Sequence, residues 1–419
     1  MMTDEDEMFY AHPESVEGLL QRGRGLGAIR AAQDPQQAAP FVYDSIRRDW
    51  SGSFPDERAI YLARLIRDLR LSPTPVAEQL SGSSHEHARA TDVLVVLALD
   101  GSNEARDALR AHIRDGAHWM YVLEEVAHHW PTPWWDDLGD IARTRIVDVL
   151  EPPLTNPAWI RFGIDISHPV PRPSRRDLSG HTIDALYGLL TETQQPKNRI
   201  RVDALRELRH RDALDALLPL VPTLVTPDDT RLLPEIYRAV EHLGPAAVPA
   251  AHAWAHHEFP RLAYLGATTL ADQLVPEAIP LLIDRLAELR RTHTWCGPDA
   301  GARRLARFGS AATDALTHLR WFWLRTPHSY ERAAYLQALA AIDRTGLDYA
   351  HTESLWDCEE NSRLQAIDQA PDSPLTRARI ADLRDDPMET PDVRSAAAGR
   401  AAGSQPFSRP GSGAPSRNA

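Results

Sequence analysis

The sequence predicts an all-α protein, an α-solenoid of stacked antiparallel helix pairs, and three observations lead there. Arg332, Arg363 and Arg394 stand 31 residues apart, each near the start of a helix-like stretch. The pattern Arg-x-x-Tyr-Leu opens an amphipathic run at Arg58, at Arg261 and again at Arg332. A second pattern repeats beside it: LGPAAVPAA at Leu243–Ala251 matches FGSAATDAL at Phe308–Leu316, and PEAIPLLIDRL at Pro276–Leu286 is a related form. A fixed period in the thirties, helical in every copy, marks one supersecondary unit that cannot bury its apolar face alone and so stacks on its neighbours.

The bulk numbers agree with a folded protein: 419 residues, 43% hydrophobic and 25% charged. A net charge of −13 disfavours a sequence-independent grip on nucleic acid, which depends on releasing counterions from phosphates. Cys296 and Cys358 are too few for a disulfide framework and suit a reducing interior. The opening MMTDEDEMFY is acidic and lacks the basic-then-apolar order of a secretory signal. The longest apolar run, Val93–Leu99, falls far short of the ~20 residues of a spanning helix. The expected location is the cytoplasm, with no membrane partner.

Taken in order, residues up to about Pro13 read as a frayed acidic leader. Ser15 then caps VEGLLQ, with Glu17 in the first turn. RGRGLG, Arg22–Gly27, interrupts the helical pattern, and Phe41–Trp50 is amphipathic. In Glu57–Arg70 the apolar Ile60, Leu62, Leu65, Ile66 and Leu69 share one helical face. Arg89 opens ATDVLVVLALD, a buried-looking helix, and EARDALRAHIR is its partner across the turn Asp100–Asn103. Prolines at 152, 153, 157, 169, 171 and 173 forbid one continuous helix there. The expected organisation is therefore an N-terminal solenoid half over 1–150, a Pro-rich connection or insertion over 151–180, a C-terminal half over 181–403, and a disordered tail over 404–419. That tail, SQPFSRPGSGAPSRNA, is of low complexity.

These repeats resemble the HEAT-repeat family, in particular its bacterial branch often called PBS-lyase HEAT-like. Its pattern runs D-x-x-V-R-x-x-A-A-x-A-L-G, then a turn and A-x-P-x-L. Asp392, Val393, Arg394, Ala397 and Ala398 fit the first part, and Ala278, Pro280 and Leu282 fit the second. The resemblance covers about Ser15 to Ala402 and implies a HEAT-like superhelix. It also implies a protein-binding scaffold for most members, a bilin lyase for a minority, and a DNA glycosylase for a related group acting on alkylated bases. The repeated Arg is expected to pair with an Asp or a helix-end carbonyl of the next copy, forming a ladder.

Candidate chemistry is sparse. RGRGLG has no strand before it, so it reads as a link between helices and not as a phosphate loop. His128-His129 and His256-His257 are adjacent residues that point apart on a helix, and His252 with His256, or His293 with Cys296, completes no ligand set. No metal and no cofactor is expected. Trp130, Trp134 and Trp135 with Asp136 and Asp137 are the most distinctive cluster. Such residues fill an irregular junction, anchor a partner, or hold a lesion and stabilise an oxocarbenium-like sugar. Arg199, Arg206 and Arg209 share a side of the helix in KNRIRVDALRELRHR, with Val202, Leu205 and Leu208 toward the core. With Arg172, Arg175 and Arg176 they form the one basic concentration, fit for phosphate or an acidic partner. The expected function is a scaffold or adaptor holding a protein partner on its concave face, with no catalysis of its own. The alternative is a DNA-binding or glycosylase-like protein.

Overall fold

The computed structural model describes residues 10–48, 57–146, 156–164, 177–191, 198–225 and 233–403, and every regular element among them is helical. Local signals set many of the boundaries. Ser15 caps Val16–Gln21 by accepting from the Gly18 amide. Ser83 and Glu86 form a capping box that starts Ser84–Leu99, earlier than Arg89 suggested. Thr390 caps Pro391–Ala401, which buries Val393 and Ala397. The matched alanine patterns also fold alike. Leu233–Leu243 ends at Gly244 (φ +53°), passes a 3-10 turn at Gly244–Ala247, and restarts as Val248–Ala255. Gly309 (φ +55°) begins the corresponding turn Gly309–Ala315 before Leu316–Arg325.

Contacts divide the chain into two compact units, and these differ from the expected contiguous halves. The first comprises Met1–His168, Phe322–Gln337 and Arg344–Ala419; the second comprises Pro169–Trp321 and Ala338–Asp343.

In the second unit, helices Asn198–His210, Leu233–Leu243, Pro260–Asp272 and Pro298–Ala306 each touch the next in that order. Val248–Ala255 lies so close to Pro260–Asp272 that a Cβ on Gly266 would stand 2.3 Å from the Ala255 amide nitrogen. Offsets of about 30 residues recur in the hydrogen bonds. Arg304 grips Asp272 with two bonds of 2.9 and 3.0 Å, 32 residues back. Arg211 donates to the carbonyls of Leu178, Ser179 and His181.

The first unit repeats the device. Arg145 donates to the carbonyls of Ile113, Arg114 and Gly116, and Arg400 to those of Ile367 and Ala370. These arginines satisfy the last carbonyls of the helix about 30 residues earlier, which no intrahelical amide reaches. Its main core draws on Arg58–Asp68, Ser84–Leu99, Asn103–Asp115 and Trp119–His129, and a smaller cluster joins Leu355, Ile367, Ile380, Leu383 and Val393.

The expectation that each helix pair meets only its neighbours fails in this unit, because its first and last segments share one buried polar network. Arg24 pairs with Glu353 at 2.6 Å. Arg332 grips Asp357 with two bonds of 2.8 Å and donates to the carbonyls of Arg22 and Gly23. Glu389, fully buried, lies 2.8 Å from both Arg64 and Arg363. Arg332 and Arg363 each reach forward to a carboxylate, Asp357 and Glu389, 25 and 26 residues on, the second a Glu where an Asp or a carbonyl was expected. Arg58 instead donates to the Pro327 carbonyl, 269 residues away, and Arg394 is exposed. The physical reason is satisfaction: a buried guanidinium needs acceptors on every side, and the turn Arg22–Arg24 supplies carbonyls.

Two further expectations need correction. Residues 10–13 are anchored, not frayed: Ala11 donates to Gln21 at 2.7 Å, and the Arg22 guanidinium lies 4.6 Å from the Tyr10 ring centroid. Inside the supposed connection, Asn156 caps Pro157–Phe162, whose Trp159 is wholly buried and donates to Glu124 at 2.6 Å. The remaining leader residues 1–9, the stretches 151–155 and 165–176, and the tail 404–419 lie outside the described residues.

Candidate groove in the first unit

The helix Ser84–Leu99 reads VLVVLAL through its second half and is apolar nearly all round. Val93, Leu94, Val95, Leu97 and Ala98 go into the core, so Asp92, Val96 and Leu99 are left on the opposite stripe, at i, i+4 and i+7. Leu99 is 45% exposed, unusual for a leucine in a helix this well packed. That stripe forms one wall of a groove of about 410 Å³. Ala59 and Ile60 come from the first turn of Arg58–Asp68, Glu125 and His129 from the last turns of Trp119–His129, and Pro387 with Met388 from the turn before Pro391–Ala401.

The groove has an apolar floor and an acidic rim: Glu57, Asp92, Asp100 and Glu125 line it, and no Arg or Lys does among the described residues. Burial first, then the nearby Glu359 carboxylate, push Glu57 up to about 7, against the pull of Arg363. Glu57 accepts from the Glu360 amide at 2.7 Å and lies 3.4 Å from Arg363. Burial also raises Asp100, opposed by Arg67, 3.5 Å away. His129 stands 3.5 Å from Glu125, an ion pair when the ring is protonated. A titrating carboxyl in a groove is a functional-site marker. The lining holds no Ser, Thr, Cys, Tyr or Lys among the described residues. Among the described residues no group of three or more His, Cys, Asp or Glu is arranged to hold a metal ion.

The residues singled out from sequence lie elsewhere. Trp130 and Trp135 are core side chains, 4% and 3% exposed, whose indoles donate to the carbonyls of Val95 and Trp130. Trp130 thereby fastens the groove helix from behind. Trp134 is half-buried, 5.6 Å from Trp130 edge-on and 5.4 Å from the Arg106 guanidinium. Asp136 is held by Arg161 at 2.8 Å and Asp137 by Arg110 at 3.0 Å, and these bonds hold both carboxyls below their ordinary range. The cluster is a packed junction with tethered acids, so Trp130 and Trp135 are not available as partner anchors.

In the second unit, Leu205 and Leu208 are buried as expected. Arg206 and Arg209 converge, at 2.9 and 3.3 Å, on the buried carboxylate of Glu235, which Arg238 also grips. Much of that expected basic face is therefore spent on an internal carboxylate. Arg199 is exposed at the start of the same helix. Arg172, Arg175, Arg176 and Lys197 lie outside the described residues.

Sequence reasoning missed the groove. Its one signal was an apolar helix carrying Asp92, Val96 and Leu99 on the stripe that core residues do not need. No protein-family model, no curated protein and no solved structure matches this chain. No helix among the described residues is long and apolar enough to cross a membrane.

Proposed function

We propose that the protein is a HEAT-like helical-repeat interaction protein of the cytoplasm, a scaffold or adaptor without catalysis of its own. Its protein partner docks in the groove of the first unit. The observation that carries this reading is the groove itself: an apolar floor with exposed Leu99, walled by three helices. Contiguous exposed apolar surface rimmed by polar groups is how interaction sites are built. The repeat assignment draws support from the one-repeat offsets of about 30 residues in the arginine-to-carbonyl bonds. A DNA-directed role would need accessible rings beside a free carboxylate, and nothing in the Trp130–Asp137 junction favours it.

The test is co-purification from the native host, with the bound protein identified and rebound in purified form. Val96→Trp fills the groove, and a folded Val96→Trp variant should lose that partner. A partner held equally well by both forms, or no protein partner at all, ends the reading.

A further inference from the structure

We infer that the three arginines gathered around Glu235 form a binding site for a phosphomonoester, a site in the second unit that does not rest on the groove reading. Arg206 and Arg209 stand one turn apart on Asn198–His210 and so project from one face of it. That helix touches Leu233–Leu243, which contributes Glu235 and, one turn on, Arg238. Glu235 is 3% exposed and holds all three heads from behind. Arg206 and Arg238 meet at its Oε1, at 2.9 and 2.5 Å, and Arg209 reaches Oε2 at 3.3 Å. Three guanidiniums within reach of one carboxyl group stand side by side. Their side chains are still 39%, 55% and 31% exposed, so a ligand in solution can touch what the buried acid has assembled.

Charges and donors select the ligand. In the first unit, Glu353 is met by Arg24, Asp357 by Arg332, and Glu389 by Arg64 and Arg363, one or two arginines to each buried acid. Glu235 has three. Asp203, 3.6 Å from Arg206, is the one other carboxylate in ion-pair range of the trio among the described residues, so three cations face two anions. Glu207 on the same helix is held by Arg211 at 2.8 Å. Five nitrogens of the three heads have no protein acceptor: Nη1 of Arg206, and Nε and Nη2 of both Arg209 and Arg238. A phosphomonoester brings three terminal oxygens and up to two charges, where a carboxylate brings two oxygens and one charge, so it takes more of these donors. The forked N–H pairs of a guanidinium also match the spacing of phosphate oxygens. The trio is a point and not a stripe, so it suits one phosphate group better than a strand whose charges repeat along its length. The second unit carries 19 Arg and Lys against 19 Asp and Glu, so the net charge of −13 resides in the first.

Fluorescence anisotropy of the full chain with a labelled peptide carrying one phosphoserine tests this, against the unphosphorylated peptide, inorganic phosphate and a short DNA duplex. The phosphopeptide should bind at physiological salt, the unphosphorylated peptide at least about tenfold more weakly, and inorganic phosphate should displace it. A phosphopeptide held about tenfold or more tightly than inorganic phosphate assigns the ligand to a protein side chain, and equal affinities assign it to a free small molecule. Arg206→Gln with Arg238→Gln leaves Arg209 on Glu235, and should weaken binding at least about tenfold with far-UV circular dichroism unchanged. Arg291→Gln with Arg320→Gln, exposed residues of the same unit, removes equal charge and should leave binding within about twofold. Should the double variant fail to fold, Arg238→Gln alone decides, with a loss of about three- to tenfold expected. The inference is overturned if neither phosphopeptide nor inorganic phosphate binds, or if the DNA duplex binds more tightly than the phosphopeptide. Equal weakening by the control pair, or less than about a twofold loss in Arg238→Gln, overturns it too.

Discussion

Arg332 gives the sharpest test of how the first unit holds together. Its side chain is 1% exposed, donates twice to Asp357 at 2.8 Å, and bonds the carbonyls of Arg22 and Gly23 at 2.7 and 3.1 Å. Burial works against the charge, but Asp357 and the groups beside it more than offset this and hold the guanidinium above its ordinary pKa. Arg332→Met keeps the bulk and removes every donor. Asp357, 3% exposed, then keeps a buried charge without its partner, which costs about 3–5 kcal/mol. The Arg22 carbonyl loses its donor as well, adding about 1–3 kcal/mol. A total near 4 kcal/mol or above is a large share of the roughly 5–15 kcal/mol a native protein has. Urea denaturation followed by far-UV circular dichroism reads it directly. Adding Asp357→Asn removes the stranded charge, so the double variant should be more stable than Arg332→Met alone. A single variant that loses under about 1 kcal/mol, or a double variant that is worse than the single, refutes the reasoning.

Gly25 should tolerate no side chain, since an added Cβ would fall 1.8 Å from the Glu353 carbonyl oxygen and 2.8 Å from its carbon. Gly25→Ala is expected to cost about 2–3 kcal/mol, whereas Gly399→Ala, a helix position with nothing within 4 Å, should gain about 0.5–1 kcal/mol in the same denaturation assay. His351 sets an acid limit. It is 1% exposed, neither ring nitrogen has a hydrogen-bond partner, and burial followed by Arg344 lowers its pKa to about 4. The unfolded chain takes up that proton first, near pH 6.5, so stability should fall by up to about 3 kcal/mol between there and pH 4 and then level off. His351→Leu should flatten that limb of a urea-midpoint profile against pH; an unchanged limb would assign the loss to other groups. Glu57 acts in the opposite sense, because its pKa is raised to about 7. The stability from its protonated form is complete below about pH 4.5 and lost as pH rises through 7, and Glu57→Gln should remove that decline.

Helix content, the cap at Ser15 and the arginine period were legible because they are local: Ser15 acts on an amide three residues away, whereas the start of Ser84–Leu99 at Ser83 was missed in favour of Arg89. The alanine patterns were legible for the same reason, since Gly244 and Gly309 each take a left-handed turn before the next helix. What Arg58 and Arg332 bind was only half legible. Their burial follows from a position in a repeated helix, but Pro327, Arg22 and Gly23 as acceptors depend on segments about 270 to 310 residues away. The groove was hidden for a related reason. Glu57, Asp92, Glu125 and Met388 are ordinary helix and turn residues until four elements bring them to one place. The tryptophan cluster drew attention by composition, and composition alone does not separate Trp130 packed against Val95 from a ring presented to a partner.

The meeting of Arg64 with Asp386 and Glu389 sets a timetable for biosynthesis. At about 5–20 residues per second, roughly 15–65 s separate the emergence of that arginine from the emergence of its acceptors. Throughout that interval the early helices carry a cation whose buried acceptors have not yet been made. Ribosome-bound chains halted before Asp386 should therefore be protease-sensitive in their first hundred residues and gain protection only once the final helices are released.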